Sequence, residues 1–165
     1  MTGTIGKNGK DIRDFYSGPA LATDIIIEYT DAKTSKTGIV VIRRKNFPHG
    51  LALPGGFAEY GLSFPENARK EAKEETGLDV TIFENERPVY VSSAPGRDPR
   101  GHVATVTYVG KGSGILNAGD DAKEAFVCTP TELDHLDKSE WAFTDHASTI
   151  RKYVLAVYGP YMDRM

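Results

Sequence analysis

"LALPGGFAEYGLSFPENARKEAKEETGLDV", residues 51–80, crowds acidic side chains, glycines and prolines into a passage that reads as strand, turn and helix. Its helix has well-marked ends. Ser63 is an N-cap, Glu66 three residues on completes a capping box, Pro65 suits the first turn, and Gly77 stops the helix. Within it Glu71, Glu74 and Glu75 stand at offsets i, i+3 and i+4, so they leave the helix on one side. Like charges at that spacing repel unless a cation joins them. A hard divalent cation such as Mg2+ takes oxygen ligands and keeps several waters while bridging to phosphates. Three glutamates and a backbone carbonyl from the adjoining "PGG" turn could supply such a site. The bound cation would neutralise phosphate charge and acidify a bound water, as phosphoanhydride hydrolysis needs. The same "RKEAKEE" run also describes an ordinary solvated helix, with Glu66–Lys70 and Lys70–Glu74 pairs worth about 0.2–0.5 kcal/mol each. The helix alone leaves both readings open.

Working outward, "ALATDIIIEYT" and "TGIVVIRRK" carry β-branched runs separated by the polar "DAKTSK", which predicts two strands and a hairpin loop. Further strands are expected in "DVTIFENERPVYVSS", broken near Pro88, in "HVATVTYVG" and in "AFVCT". The turn-rich "APGRDPRG" and "KGSGILNAGDDAKE" lie between them as loops. A second helix is predicted from about Thr144 to Tyr158, ending at "GP", and a short one around "TPTELDHL". Strands dominate and helices do not alternate with them, which favours an α+β sheet with flanking helices over a doubly wound fold.

The chain's 165 residues fit a single domain over 1–165, with residues 1–20 as an extended lead-in. A net charge of −3 gives no electrostatic case for nucleic acid or an anionic membrane as partner. Any anionic ligand must therefore meet local positive groups or a metal. The lone Cys128 excludes an internal disulfide, fits a reducing compartment and reads as core filling. No apolar run approaches a membrane span or the apolar part of a signal peptide, so a cytoplasmic location is expected.

The flanks of the carboxylate helix resemble the Nudix box, G-x5-E-x7-R-E-U-x-E-E-x-G-U, where U is a bulky aliphatic residue. Laid on this chain the pattern starts at Gly56, follows "LPGG", and meets Glu71, Glu74, Glu75, Gly77 and Leu78 in register. It departs at Leu62, where the first box glutamate is expected, at Lys70 in place of arginine, and at Ala72, small for its aliphatic slot. The resemblance implies an α/β/α sandwich with a mixed sheet, the box forming a loop–helix–loop that holds Mg2+ or Mn2+. Glu71 and Glu75 are then the expected metal ligands, with Glu74 close behind and the Gly55 carbonyl beside them. Glu74 and Glu75 are also expected to act in catalysis. In the family the first glutamate supports the loop, so Leu62 bears on geometry more than on ligation. Lys70 keeps the positive charge without arginine's two-pronged donor set.

Two loops narrow the substrate. "GRDPRGH" and "GDDAKEA", together with "GLALPGGF", resemble segments of Nudix ADP-ribose diphosphatases over roughly residues 38–130. The resemblance implies that Arg44 and Arg97 or Arg100 contact diphosphate or ribose, and that Asp98 accepts from ribose hydroxyls. Asp121 or Glu124 would supply a further metal ligand or position the attacking water. Phe47 or Tyr60 is a candidate to stack on adenine, although each also reads as a packing residue. His49 and His146 read as surface residues, and Trp141 as an anchor for the C-terminal segment. The expected activity is metal-dependent hydrolysis of ADP-ribose to AMP and ribose 5-phosphate. The alternatives are a Nudix hydrolase for a nucleotide sugar, a dinucleotide polyphosphate or an oxidised nucleotide, and an ADP-ribose sensor whose weakened box binds without turnover. A homodimer is expected from the family, with the N-terminal residues crossing to a partner.

Overall fold

The computed structural model describes residues 16–119 and 122–162. The expected lead-in over 1–20 therefore lies largely outside the described residues, as do Asp120 and Asp121. Strands β1 (Ala20–Thr30) and β2 (Thr37–Arg44) form the predicted hairpin, followed by the short β3 (Leu51–Ala52) and β4 (Gly55–Phe57). Helix α1 (Phe64–Thr76) leads to β5 (Asp79–Ile82), a 3-10 turn, β6 (Tyr90–Ser92), β7 (Val103–Ser113) and β8 (Ala122–Cys128). Helices α2 (Pro130–His135) and α3 (Thr144–Met162) follow and end the described residues.

The strands make one mixed sheet with a backbone order β3-β2-β1-β7-β5, β4 adding to β1, β6 to β7 and β8 to β2. The β1–β7 pair is parallel and the other pairs are antiparallel. Strand β1 explains the layering. Its apolar run "III" is fully buried, because a strand covered on both faces carries side chains alternately into two cores. Ile25 and Ile27 pack with Ala68 and Ala72 of α1 and with Leu78 just beyond its end. Ile26 faces the other layer with Trp141, Ile150 and Val154. The expected sandwich, one helix on one face and two on the other, is the observed arrangement. Ala72 is small because it is fully buried between α1 and the sheet.

Strand β1 changes neighbours near its middle. Its later residues pair with β2, whereas Ala22–Asp24 pair with Phe57–Gly55 of β4. The Ile25 amide donates to the Pro54 carbonyl at 2.9 Å, so the "LPGG" turn is laid on β1 at Asp24. Helix α1 begins with the capping box at Ser63 and Glu66 and ends on Gly77, whose φ of 73° is the left-handed cap that glycine adopts freely. The C-terminal helix runs four residues beyond its expected end, taking in Gly159 and Pro160. A proline in the last turn forfeits a single amide donor, so it does not stop the helix there.

Candidate active site

A cavity of about 430 Å3 opens where the "LPGG" turn, α1, the 97–100 loop and the start of α3 meet. One wall is acidic. Glu71 and Glu75, one helical turn apart on α1, face the turn, and the Gly55 amide donates to Glu75 Oε2 at 2.9 Å. A Cβ on Gly55 would lie 2.2 Å from the Thr23 carbonyl oxygen, and one on Gly56 would lie 2.6 Å from the Glu71 carboxylate. Close approach to backbone demands glycine at position 55, whereas a side chain at position 56 would displace the Glu71 carboxylate. Glu75 is 5% exposed, and its pKa is pushed up to about 8 by burial and by the negative charges of Glu71 and Asp24, against the Gly55 N–H and Arg44.

Glu74 is placed differently. It projects to solvent and is bound by Lys70, which lies 2.8 Å from both Glu74 and Glu59. Those two hydrogen bonds raise the Lys70 pKa. Among the cavity's lining residues are Glu71 and Glu75 but not Glu74. Leu62, where the first box glutamate is expected, is exposed and lines no part of the cavity. The loop before α1 is held instead by the fully buried Asn67. Its Oδ1 accepts from the Glu59 amide at 3.0 Å, and its Nδ2 donates to Thr23 Oγ1 at 2.9 Å and to the Phe57 carbonyl at 3.3 Å.

The basic wall of the same cavity is assembled from distant parts of the chain. The guanidinium carbons of Arg44, Arg97 and Arg100 lie 5.4, 5.8 and 5.6 Å from the centroid of the buried Phe143 ring. Arg100 also stacks over Phe57 at 4.8 Å. Arg97 donates to Asp145 Oδ2 at 2.7 Å and to Thr105 Oγ1 at 2.9 Å. Arg100 grips Asp98 through Nε and Nη2 at 3.0 and 2.8 Å, and its backbone amide adds a third bond to the same carboxylate. Burial raises the Asp98 pKa, but the bonds from Arg100 and the charges of Arg100 and Arg97 outweigh it and leave a net lowering. Asp98 therefore meets the cavity as an arginine-bound carboxylate. Phe47 lines the cavity and Tyr60 does not. Glu124 lies on the exposed surface of β8, 3.1 Å from Arg43 Nε, away from the lining residues.

His146 is not a surface residue. It is 3% exposed in the first turn of α3, its Nδ1 accepts the Leu53 amide at 3.1 Å, and its Nε2 lies 3.0 Å from Asp24 Oδ2. An acceptor role for Nδ1 leaves the proton on Nε2, so the neutral ring donates to Asp24. Asp24 and His146 both line the cavity, and neither belongs to any pattern visible in the sequence. The only local sign was that "TDH" opens a helix, which carries no information about what that turn touches. His49 is exposed, as expected, and Trp141 is buried and bridges to Leu51.

The NUDIX domain family model matches residues 19–152. The chain belongs to the Nudix family. Among the relatives of this Nudix hydrolase, an ADP-ribose pyrophosphatase of Methanocaldococcus jannaschii is 41% identical over 150 residues, 88% of this chain and 80% of that protein. A MutT/nudix family protein from Enterococcus faecalis has a TM-score of 0.69 at 28% identity; the match covers 87% of this chain but only 64% of that one. The NUDIX domain of Shewanella oneidensis NrtR, solved as a complex with ADP ribose, has a TM-score of 0.73 over 91% of this chain and 95% of its own. At 16% identity that likeness concerns the fold alone.

Nudix hydrolases generally use divalent metal ions, and the donor set here fits one. Among the described residues no three acidic, histidine or cysteine side chains converge into a self-sufficient metal cage. Mg2+ does not require one, since it commonly takes one or two carboxylates and completes its shell with waters and substrate phosphates. Glu71 and Glu75 beside the Gly55–Gly56 backbone are hard oxygen donors of that kind. The upward shift of Glu75 comes first from burial and then from the charges of Glu71 and Asp24, and a cation at the carboxylates would oppose both.

Proposed function

We propose that this Nudix hydrolase cleaves the diphosphate of ADP-ribose, giving AMP and ribose 5-phosphate, with Mg2+ as the metal. The observation that carries the reading is one cavity lined both by Glu71 and Glu75 and by Arg44, Arg97 and Arg100. A diphosphate linking two organic groups needs both walls: guanidinium groups to bind its oxygens, and carboxylates to hold a cation against the same charge. The 41% identical ADP-ribose pyrophosphatase supports the choice of substrate.

In this proposal Glu71, Glu75 and the Gly55 carbonyl hold Mg2+ (Mn2+ serving in its place), and Glu74 reaches it only by leaving Lys70. When bound, the cation acidifies water and offsets phosphate charge. The arginines orient the diphosphate so that water meets one phosphorus in line. Asp98 holds Arg100 in place, and ribose hydroxyls reach its oxygens only where Arg100 leaves room. Asp121, by resemblance, positions the attacking water, while Glu124 would have to give up Arg43 to take that part. We further propose a cytoplasmic homodimer. The lone buried Cys128 suits a reducing compartment, and no helix among the described residues is long and apolar enough to cross a membrane. The exposed Leu21 and Val91, 49% and 67% accessible, are apolar surface available to a second copy.

Binding without turnover was the alternative suggested by Leu62 and Lys70. The Asn67 bonds and the Glu59–Lys70 pair hold the loop without a carboxylate at that position, which favours hydrolysis. The test is to incubate the protein with ADP-ribose, a nucleotide-sugar panel and 8-oxo-dGTP, in Mg2+ and in EDTA, and to resolve the products. AMP released from ADP-ribose only with metal is the expected result. ADP-ribose binding with no metal-dependent cleavage of any compound would refute it.

A further inference from the structure

We infer that Phe143 and Asp145, at the entry to α3, are positioning residues that set the affinity of the cavity for a diphosphate by fixing its arginines; this rests on the proposed diphosphate chemistry of that cavity. Three guanidinium groups gathered in one place repel one another and would, if unsupported, swing out to solvent. Phe143 opposes this directly. It is 6% exposed, so its ring is fixed by the surrounding core, and all three guanidinium carbons lie within the ~6 Å over which an aromatic quadrupole attracts a cation. It is a common platform for residues 44, 97 and 100, which come from the end of β2 and from the loop before β7, both far from α3 in the chain.

Asp145 acts on one member of the group. The Arg97 side chain is only 6% exposed, so its charge needs a partner, and Asp145 Oδ2 supplies it at 2.7 Å. The other oxygen of Asp145, Oδ1, is buried without a hydrogen-bond partner among the described residues. The carboxylate thus depends on Arg97 as Arg97 depends on it. Together with the Thr105 bond from Nη1 this ties the guanidinium at two of its three nitrogens, on different edges, and so fixes its plane. Neither Phe143 nor Asp145 need touch the substrate for this effect. The side chains they hold are preorganised, and preorganisation appears as affinity.

The experiment reads the arginine wall with inorganic diphosphate, titrated calorimetrically in EDTA, alongside steady-state kinetics with ADP-ribose and Mg2+. Phe143→Leu keeps an apolar filler and removes the ring. It is expected to weaken diphosphate binding by about tenfold or more and to raise KM by a similar factor, with kcat moving by less than about threefold. Phe143→Tyr keeps the ring and should return both to within about twofold of wild type. Asp145→Asn should weaken diphosphate binding in the same direction, and it stands as the test if the leucine variant does not fold. A merely structural role would lower thermal stability without separating KM from kcat. The inference is overturned if both variants bind diphosphate within about twofold of wild type, if the loss falls on kcat alone, or if the wild-type protein has no affinity for diphosphate. A wild-type protein that leaves ADP-ribose intact, yet loses diphosphate affinity on Phe143→Leu, would refute the proposed substrate and uphold the positioning role.

Discussion

The two walls of the cavity were built in opposite ways. The acidic wall is contiguous in the chain: Gly55, Gly56, Glu71 and Glu75 lie within one turn and one helix, and local rules of capping and periodicity place them. The basic wall draws Arg44 from the end of β2, Arg97 and Arg100 from the loop before β7, and Phe143, Asp145 and His146 from the approach to α3. Only the tertiary fold brings these together. A wall written in one motif fails by losing a single side chain, whereas one assembled from distant elements can also fail through the residues that align it.

The largest effect is expected where the two walls share a support. Gly55 lies between Thr23, Asp24 and Glu75, so Gly55→Ala forces β1 and the turn apart. We expect a loss of about 3 kcal/mol or more in chemical denaturation and a loss of most activity. His146→Leu comes next. It leaves the Leu53 amide and the Asp24 carboxylate buried without their partner, at about 1–3 kcal/mol for each group, and thermal melts should show it. An unchanged melting temperature would separate α3 from the "LPGG" turn and break the account of how the walls are joined.

A smaller effect concerns pH. The folded pKa of Glu75 is raised from 4.5 to about 8, so the folded state holds this proton more tightly than the unfolded chain. The stability this contributes is fully present below about 4.5 and is lost as pH rises through about 8. Denaturation in EDTA should therefore show stability falling across that window, with a flatter profile for Glu75→Gln. The carboxylates with lowered pKa, such as Glu66 and Asp98, act with the opposite sign and in more acidic solution, so they do not imitate the trend. A rise in stability across the window would contradict the burial argument. The smallest effect is expected for Leu62→Glu. Because Asn67 and the Glu59–Lys70 pair already hold the loop, turnover should stay equal or rise by no more than a few-fold, about 1 kcal/mol or less in barrier. A large gain would mean that the loop is poorly held without the missing acid.

The contrast between the walls also marks what was legible in the sequence. The strands of the hairpin, both ends of α1 and the pair Glu71–Glu75 follow from alternation, capping and helical spacing, which act over a few residues. Spacing alone could not separate Glu74 from its neighbours. Relative to Glu71 it lies about 60° around the helix one way and Glu75 about 40° the other, so burial of one side decides between them. Position 70, which replaces an arginine of the box, marks the side to which Glu74 turns. Arg44, Arg97 and Arg100 were marked by resemblance, but Phe143 and Asp145 were not, because nothing local distinguishes a ring beneath three arginines from a ring in any core. His146 was misread for the same reason. A histidine's burial depends on Leu53 and Asp24, which lie more than 90 residues away in sequence.

The most direct test of the division between the walls is to measure ADP-ribose turnover and ADP-ribose affinity together in Glu75→Gln. All three arginines are retained in that variant, which removes only the carboxylate charge that Arg44 feels from Glu75, so binding should remain within a few-fold of wild type, while Mg2+-dependent AMP release should fall by about 100-fold or more. Near-normal turnover, or turnover and affinity lost in equal measure, would contradict the assignment of the cation to the acidic wall and the diphosphate to the basic one.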